Sequence, residues 1–191
     1  MDALFGIMSA FGLSASAGLN AYIPLLAVGG IAHYTDWIKL NPPYDMLANP
    51  WVLIVVGVLL IVEMLADKIP AVNHVNDIIQ TGIRPAAGAI IFAASAHAIT
   101  NVHPVIAIIC GLLVSGSVHV VKSAAIRPVV TATTGGAANV PVSIAEDVIA
   151  SVVSILSIVI PAMAAVFLVI FVLLIIWWFW RRADRKRQAL S

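Results

Sequence analysis

The sequence predicts an all-α fold, a polytopic transmembrane helix bundle of about six spans, and three observations predict it. Of its 191 residues 62% are hydrophobic and only 10% charged, and the mean hydropathy is +1.07, where a soluble domain runs near half apolar and a quarter charged. The apolar residues fall in stretches of membrane-spanning length. Two of those stretches carry Gly, Ser and Thr clusters followed by proline. A soluble globule of this size leaves roughly a third of its unfolded surface exposed and cannot hide so much apolar area. A cytosolic enzyme domain, a disordered regulator and a disulfide scaffold are excluded on that ground. The formal net charge of +1 gives no reason to expect a nucleic-acid partner, and the single cysteine, Cys110, permits no internal disulfide.

The first candidate span is 3–32. Its start imitates a signal peptide, with small residues at Ser14-Ala15-Ser16-Ala17-Gly18, but the region before them carries Asp2 and no cation, where a signal sequence needs positive charge. It reads as a retained span. The loop Asp36–Pro50, punctuated by Pro42-Pro43 and Asn49-Pro50, reads as a structured turn. Spans at 51–66, 85–100 and 104–121 follow. Between the second and third, Val72, Val75, Ile78 and Ile79 recur at helical spacing among Asn73, His74, Asn76 and Asp77, which predicts a short amphipathic interfacial helix ending at Gly82. The last run, 142–180, is too long for one crossing: Ala145 to Trp180 is 36 residues, about 54 Å of helix against a core of about 30 Å. Pro161, near its middle, favours two passes. One kinked helix there would make five spans instead of six.

Charge decides between these counts. The basic tail of 181–191 belongs in the cytoplasm by the positive-inside rule. Six spans put Lys68, Arg84, Lys122 and Arg127 on its side and leave Lys39 opposite, if those cations belong to loops. Both termini are then cytoplasmic, and the expected location is a bacterial inner (plasma) membrane. Tyr34, Trp37, Tyr44 and Trp51 mark one interface, and Trp177, Trp178 and Trp180 the other. The whole chain, 1–191, forms a single transmembrane domain.

At an offset of 117 the chain matches itself. Ser14-Ala15-Ser16-Ala17-Gly18 aligns with Thr131-Ala132-Thr133-Thr134-Gly135, and Pro24 meets Pro141; Ile83-Arg84-Pro85 echoes Ile126-Arg127-Pro128. Helices interrupted at corresponding places of an internal repeat are the best sequence pointer to a transporter site, because freed backbone groups cannot face lipid. Gly18, Pro24, Gly135, Gly136 and Pro141 are the expected helix-break residues, with Asn20 and Asn139 beside them. The competing reading is that small residues let helices pack closely.

Charges inside spans need an explanation. Glu63 lies well inside the second span, and Asp67 follows on the same helix face with Lys68 next; the two acids suit cation or proton binding. Glu146 and Asp147 follow Pro141, where Ser143 and Glu146 have the spacing of a capping box, or where one acid turns inward. Arg84-Pro85 and Arg127-Pro128 read as helix starts with snorkelling arginines, or as two guanidiniums that clamp an anionic group, with Lys122 joining them. No metal-ligand spacing, Walker loop or nucleophile elbow occurs among the five histidines and the rest of the chain. No metal, cofactor or enzymatic activity is expected.

Taken in order, Gly18-Leu19-Asn20-Ala21-Tyr22-Ile23-Pro24, Glu63 through Pro70, Ile83-Arg84-Pro85-Ala86-Ala87-Gly88 and Ala145-Glu146-Asp147 resemble a domain-of-unknown-function family of small bacterial integral membrane proteins of about 190 residues. The resemblance covers almost the whole chain and implies a multi-pass inner-membrane protein, without an activity. A fainter likeness, to cation/proton exchangers with a Glu-x-Gly-Asp-Lys/Arg-Ser/Thr signature, fails on the spacing of Glu63 and Asp67 and on Ala66 and Ile69. The function expected from the residues is a small carrier-type transporter for an anionic or phosphate-bearing solute, coupled to protons or cations. The alternatives are a lipid or polyprenyl-phosphate translocase and a non-transporting scaffold. Membrane lipids are the expected surroundings, with self-association through the small-residue helix faces.

Overall fold

A computed structural model describes residues 2–99, 102–161, 169, 170, 173 and 177. The described residues form helices and no strand. The order is α1 (Asp2–Leu19), α2 (Tyr22–Tyr34), a short 3-10 turn (Tyr44–Ala48), α3 (Pro50–Ala66), α4 (Pro70–Ile99), α5 (Pro104–Val121), a π-turn (Lys122–Ile126), α6 (Arg127–Thr134) and α7 (Asn139–Val159). α1 lies at the centre against α4, α5 and α7, while α2 packs on α3 and α7.

Local chemistry sets the boundaries. Asn49 and His103 each accept a hydrogen bond from the backbone two residues on, Trp51 N and Val105 N, and a proline occupies the first helical position after each, where its missing N–H costs nothing. α6 ends on Gly135, whose φ of 60° is the left-handed conformation that glycine adopts without penalty. α7 ends at Val159, one residue before Ile160-Pro161, so the long apolar run does break at Pro161; apart from Val169, Ile170, Leu173 and Trp177, the remainder of that run lies outside the described residues.

Two expected boundaries fall elsewhere. The amphipathic segment at 72–79 is not a separate interfacial helix ending at Gly82. It is the first half of the 30-residue α4, which runs through Gly82 and Pro85. Compared with a helix of a soluble protein its burial is inverted: Asn76, Gln80 and Arg84 are buried, whereas Val75, Ile78 and Ile79 are exposed, as the apolar face of an amphipathic membrane helix is. Periodicity marks a helix face but not which side of it faces inward. Likewise Ser143 caps nothing, because α7 begins at Asn139 and carries Pro141 in its first turn.

The same inversion holds for the bundle. Its buried residues are dominated by Ala, Ser, Gly and charged groups, while Ile54, Val58, Ile61, Leu65, Ile106, Ile109, Leu113, Val148, Val152 and Ile155 point outward. Small residues let the central helices touch. A Cβ on Gly88 or Gly111 would collide with Ser115 or with the backbone of the facing helix, and Ser14 Oγ sits 2.9 Å from the carbonyl oxygens of both glycines. Segments 75–96, 104–134 and 139–159 are long and apolar enough to cross a membrane, and 4–19, 22–34 and 50–66 are shorter apolar helices. This arrangement is compatible with a membrane protein.

The charge count behind six spans does not survive. Arg84, Lys122 and Arg127 are 0%, 1% and 8% exposed, so they are interior groups rather than loop cations and carry no topological vote.

Candidate functional site

Two helix breaks and one change of helical register build the site. The first break is at Asn20-Ala21, where Asn20 Oδ1 accepts from Tyr22 N and Ile23 N and so serves as the cap of α2. The second spans Gly135–Ala138. α2 starts at Tyr22 and α7 at Asn139, positions 117 apart, with Pro24 and Pro141 the third residue of each helix. Gly18 is not a break residue: it stands in the last turn of α1, where a Cβ would strike Ser115 O and Val118. The π-turn lies just before Pro128. Its wider hydrogen bond, Arg127 N–H to Lys122 O, shifts the register ahead of a proline that cannot donate. It also turns Lys122 and Arg127 to the interior.

Charged groups from five elements then meet. Arg84 (α4) donates through NH2 to Glu63 Oε1 (α3) at 2.8 Å, with both side chains at most 1% exposed. Arg127 donates through NH1 to Asp77 Oδ2 at 2.8 Å and through NH2 to Asp67 Oδ2 at 2.9 Å. Lys122 Nζ lies 2.8 Å from Glu146 Oε2 and donates to Leu19 O at 3.0 Å, at the end of α1. The arginine–carboxylate contacts are charged hydrogen bonds of the strong kind, the Lys122–Glu146 contact is a close ion pair, and together they offset the desolvation of buried ions.

The centre of this network is one atom. Asp67 Oδ2 has Arg127 NH2 at 2.9 Å, Lys122 Nζ at 3.8 Å, Arg84 NH2 at 3.9 Å and Ser143 Oγ at 3.3 Å, while Asn76 donates to its other oxygen at 2.7 Å. Asp67 stands in the turn after α3, outside the candidate spans. Burial pushes its carboxyl up, but Lys122, Arg127 and Arg84 together hold it below its ordinary value, helped by the Asn76 hydrogen bond.

Around that centre runs a neutral relay. Arg84 NH1 lies 3.3 Å from His119 Nδ1 and His119 Nε2 3.1 Å from Thr81 Oγ1. An arginine can only donate, so Nδ1 is the acceptor, the ring proton sits on Nε2, and Thr81 receives it. Asp147 is set apart: Asn20 Nδ2 donates to its Oδ1 at 2.9 Å, and among the described residues no cation lies within ion-pair distance of it.

Of the residues singled out in the sequence, Glu63, Asp67, Arg84, Lys122, Arg127 and Glu146 come together here, with Asn20 and Asp147 at the adjoining break. Glu146 is not a capping acid but the partner of Lys122. Arg84-Pro85 lies inside α4 and opens no helix; Arg127-Pro128 does open α6, but with its arginine buried rather than snorkelling. Lys68 lies outside the network and donates to Met64 O in its own helix. Asn139 is away from it as well, exposed at the second break and bonded to Thr131. Asp77, Asn76, Ser143, Thr81 and His119 are members that sequence reasoning did not place; the polar face Asn76-Asp77-Gln80-Thr81-Arg84 of α4 was the available signal. Among the described residues no group of three or more His, Cys, Asp or Glu side chains could hold a metal ion.

No curated protein and no solved structure matches this chain. A family model does, over residues 7–181, and the chain therefore belongs to the family described as Domain of unknown function (DUF4126).

Proposed function

We propose that the protein is a small carrier-type membrane transporter in a bacterial inner membrane, taking an anionic or phosphate-bearing solute together with protons. The observation that carries this reading is the meeting of Arg84, Lys122 and Arg127 with four carboxylates beside the helix break at Asn20, with a second break at the corresponding place before α7. Ionisable groups inside an apolar bundle are costly and mark transport pathways more often than they stabilise, and paired helix breaks belong to carriers with internal repeats. We read the 117-residue correspondence as such a repeat.

Coupling follows from the pairing. Among the described residues four carboxylates, Glu63, Asp67, Asp77 and Glu146, face three cations, and Glu63 Oε2 has no hydrogen-bond donor. A proton on Glu63 removes the surplus negative charge and weakens its hold on Arg84. The freed guanidinium then takes an anionic group bidentately, so that anion and proton move together.

The test is uptake of labelled phosphate and small carboxylates into proteoliposomes under an imposed pH gradient. Uptake that depends on the gradient and is lost in Glu63→Gln and in Arg84→Gln supports the carrier. Folded protein that moves no anion overturns it. The mutual pairing of the ions favours a second reading, a non-transporting scaffold whose interior network fixes helix register; it gives no uptake.

A further inference from the structure

We infer that the ring of donors around Asp67 Oδ2 is a binding site for a small oxyanion, and that the Asp67 carboxylate fills it as a tethered stand-in for that ligand. The inference deepens the carrier reading and rests on it for physiological meaning, though not for the binding itself.

Three cations, a serine hydroxyl and an asparagine amide converge on one carboxylate. Arg127, Lys122 and Arg84 come from three different elements and lie 2.9, 3.8 and 3.9 Å from the same oxygen; Ser143 and Asn76 add uncharged donors from α7 and α4. An ordinary buried ion pair needs one cation. A convergent set of guanidinium, ammonium and hydroxyl donors is what a phosphate or carboxylate ligand requires. Arg84 also keeps Nε without an acceptor although the residue is 0% exposed, so the ring holds more donor capacity than Asp67 uses.

Position makes the occupant replaceable. Asp67 is not in the body of a helix; it is the residue after α3, followed by the Lys68-Ile69 turn into α4. A movement of that turn withdraws the carboxylate while Arg84, Lys122 and Arg127 remain on the bundle. Without Asp67 the three cations face three carboxylates, Glu63, Asp77 and Glu146, so the formal charge balances and an anion is held by the convergent donors that Asp67 leaves unpaired. The ligand class is thus an oxyanion of small size, a carboxylate or a phosphate group, the latter free or on a lipid.

The experiment is chemical rescue of the purified full-length protein. The thermal midpoints of wild type, Asp67→Ala and Asp67→Asn are measured with formate, inorganic phosphate, a short-chain phosphatidic acid, and chloride at matched ionic strength. We expect the Asp67→Ala midpoint to fall and to recover saturably with the oxyanion, with affinity roughly tenfold or more above wild type, and the recovery to vanish in Asp67→Ala/Arg127→Gln. Asp67→Asn, which keeps the shape and loses the charge, gives the same order of affinities if the alanine variant does not fold. Recovery with formate and phosphate supports a free solute; recovery with phosphatidic acid alone supports a lipid headgroup. Oxyanions that restore neither variant better than chloride overturn the inference. Rescue without uptake would sink the carrier and keep the site, whereas uptake without rescue would sink the site and keep the carrier.

Discussion

Arg127 and Asp67 are 60 residues apart in sequence and 2.9 Å apart in space, and the same guanidinium holds Asp77 with its other terminal nitrogen at 2.8 Å. One arginine therefore ties the end of α3, the first half of α4 and the start of α6. Arg127→Gln leaves one buried carboxylate, Asp67, and one half-buried carboxylate, Asp77, short of their partner. The expected loss is about 3–5 kcal/mol, read as a fall in the thermal midpoint in detergent. A double-mutant cycle with Asp67→Asn should recover part of it; strictly additive losses would show that the pair is not coupled.

Acid should act through Asp67. Its carboxyl is held below its ordinary value by Lys122, Arg127 and Arg84 against the opposing push of burial. A depressed folded-state value gives stability that is fully present above the ordinary carboxylate range and is lost as pH falls through the folded one. Wild type should lose stability on acidification more steeply than Asp67→Asn. Parallel acid limbs for the two proteins would contradict the assignment.

Glycines at crossings and glycines on open faces should respond oppositely to alanine. At Gly88 the new methyl meets Ser115 and the Gly111 carbonyl, and overpacking of this kind costs about 1–3 kcal/mol. At Gly57, in the middle of α3, nothing lies within 4 Å, and alanine should be neutral or gain up to about 1 kcal/mol of helix stability. Thermal midpoints of the two variants, measured side by side, check the order.

Asn20 performs two tasks with one side chain, capping α2 through Oδ1 and satisfying Asp147 through Nδ2. Asn20→Ala removes a cap worth about 1 kcal/mol and strips a buried carboxylate of its donor, a further loss of about 1–3 kcal/mol. Asn20→Asp keeps the cap and sets two carboxylates together. Its stability should fall further than that of the alanine variant, as unfolding curves recorded side by side would show.

The helices were largely legible in sequence because apolar composition, Asn-Pro and His-Pro starts and Gly-Gly stops act locally. The breaks near 20 and 135 were legible too, since Gly and Pro leave a mark in any context. The inside of the bundle was not. Val75, Ile78 and Ile79 read as the apolar face of an interfacial helix, and only the packing shows that the opposite face, with Asn76, Gln80 and Arg84, is covered by the bundle. Arg84 and Arg127 looked alike as Ile-Arg-Pro, yet one sits in mid-helix and the other beyond a π-turn, because the fate of a proline depends on which carbonyl it leaves unpaired. Lys122 reads in sequence as a third cation joining the two arginines, but no local pattern announces the change of register that turns it inward.

Within α3, from Pro50 to Ala66, Glu63 is the one buried residue. The rest of the helix offers Ile, Val and Leu to its surroundings, and hydrocarbon receives such side chains as readily as a neighbouring helix does. Its polar attachment to α4 is Glu63 on Arg84 and, just past its end, Asp67 on Asn76, while Val56 and Leu60 pack against the buried apolar cluster. One end of the helix is thus fastened by charge and its middle by apolar packing, so a change of charge at Glu63 loosens the first fastening and leaves the second.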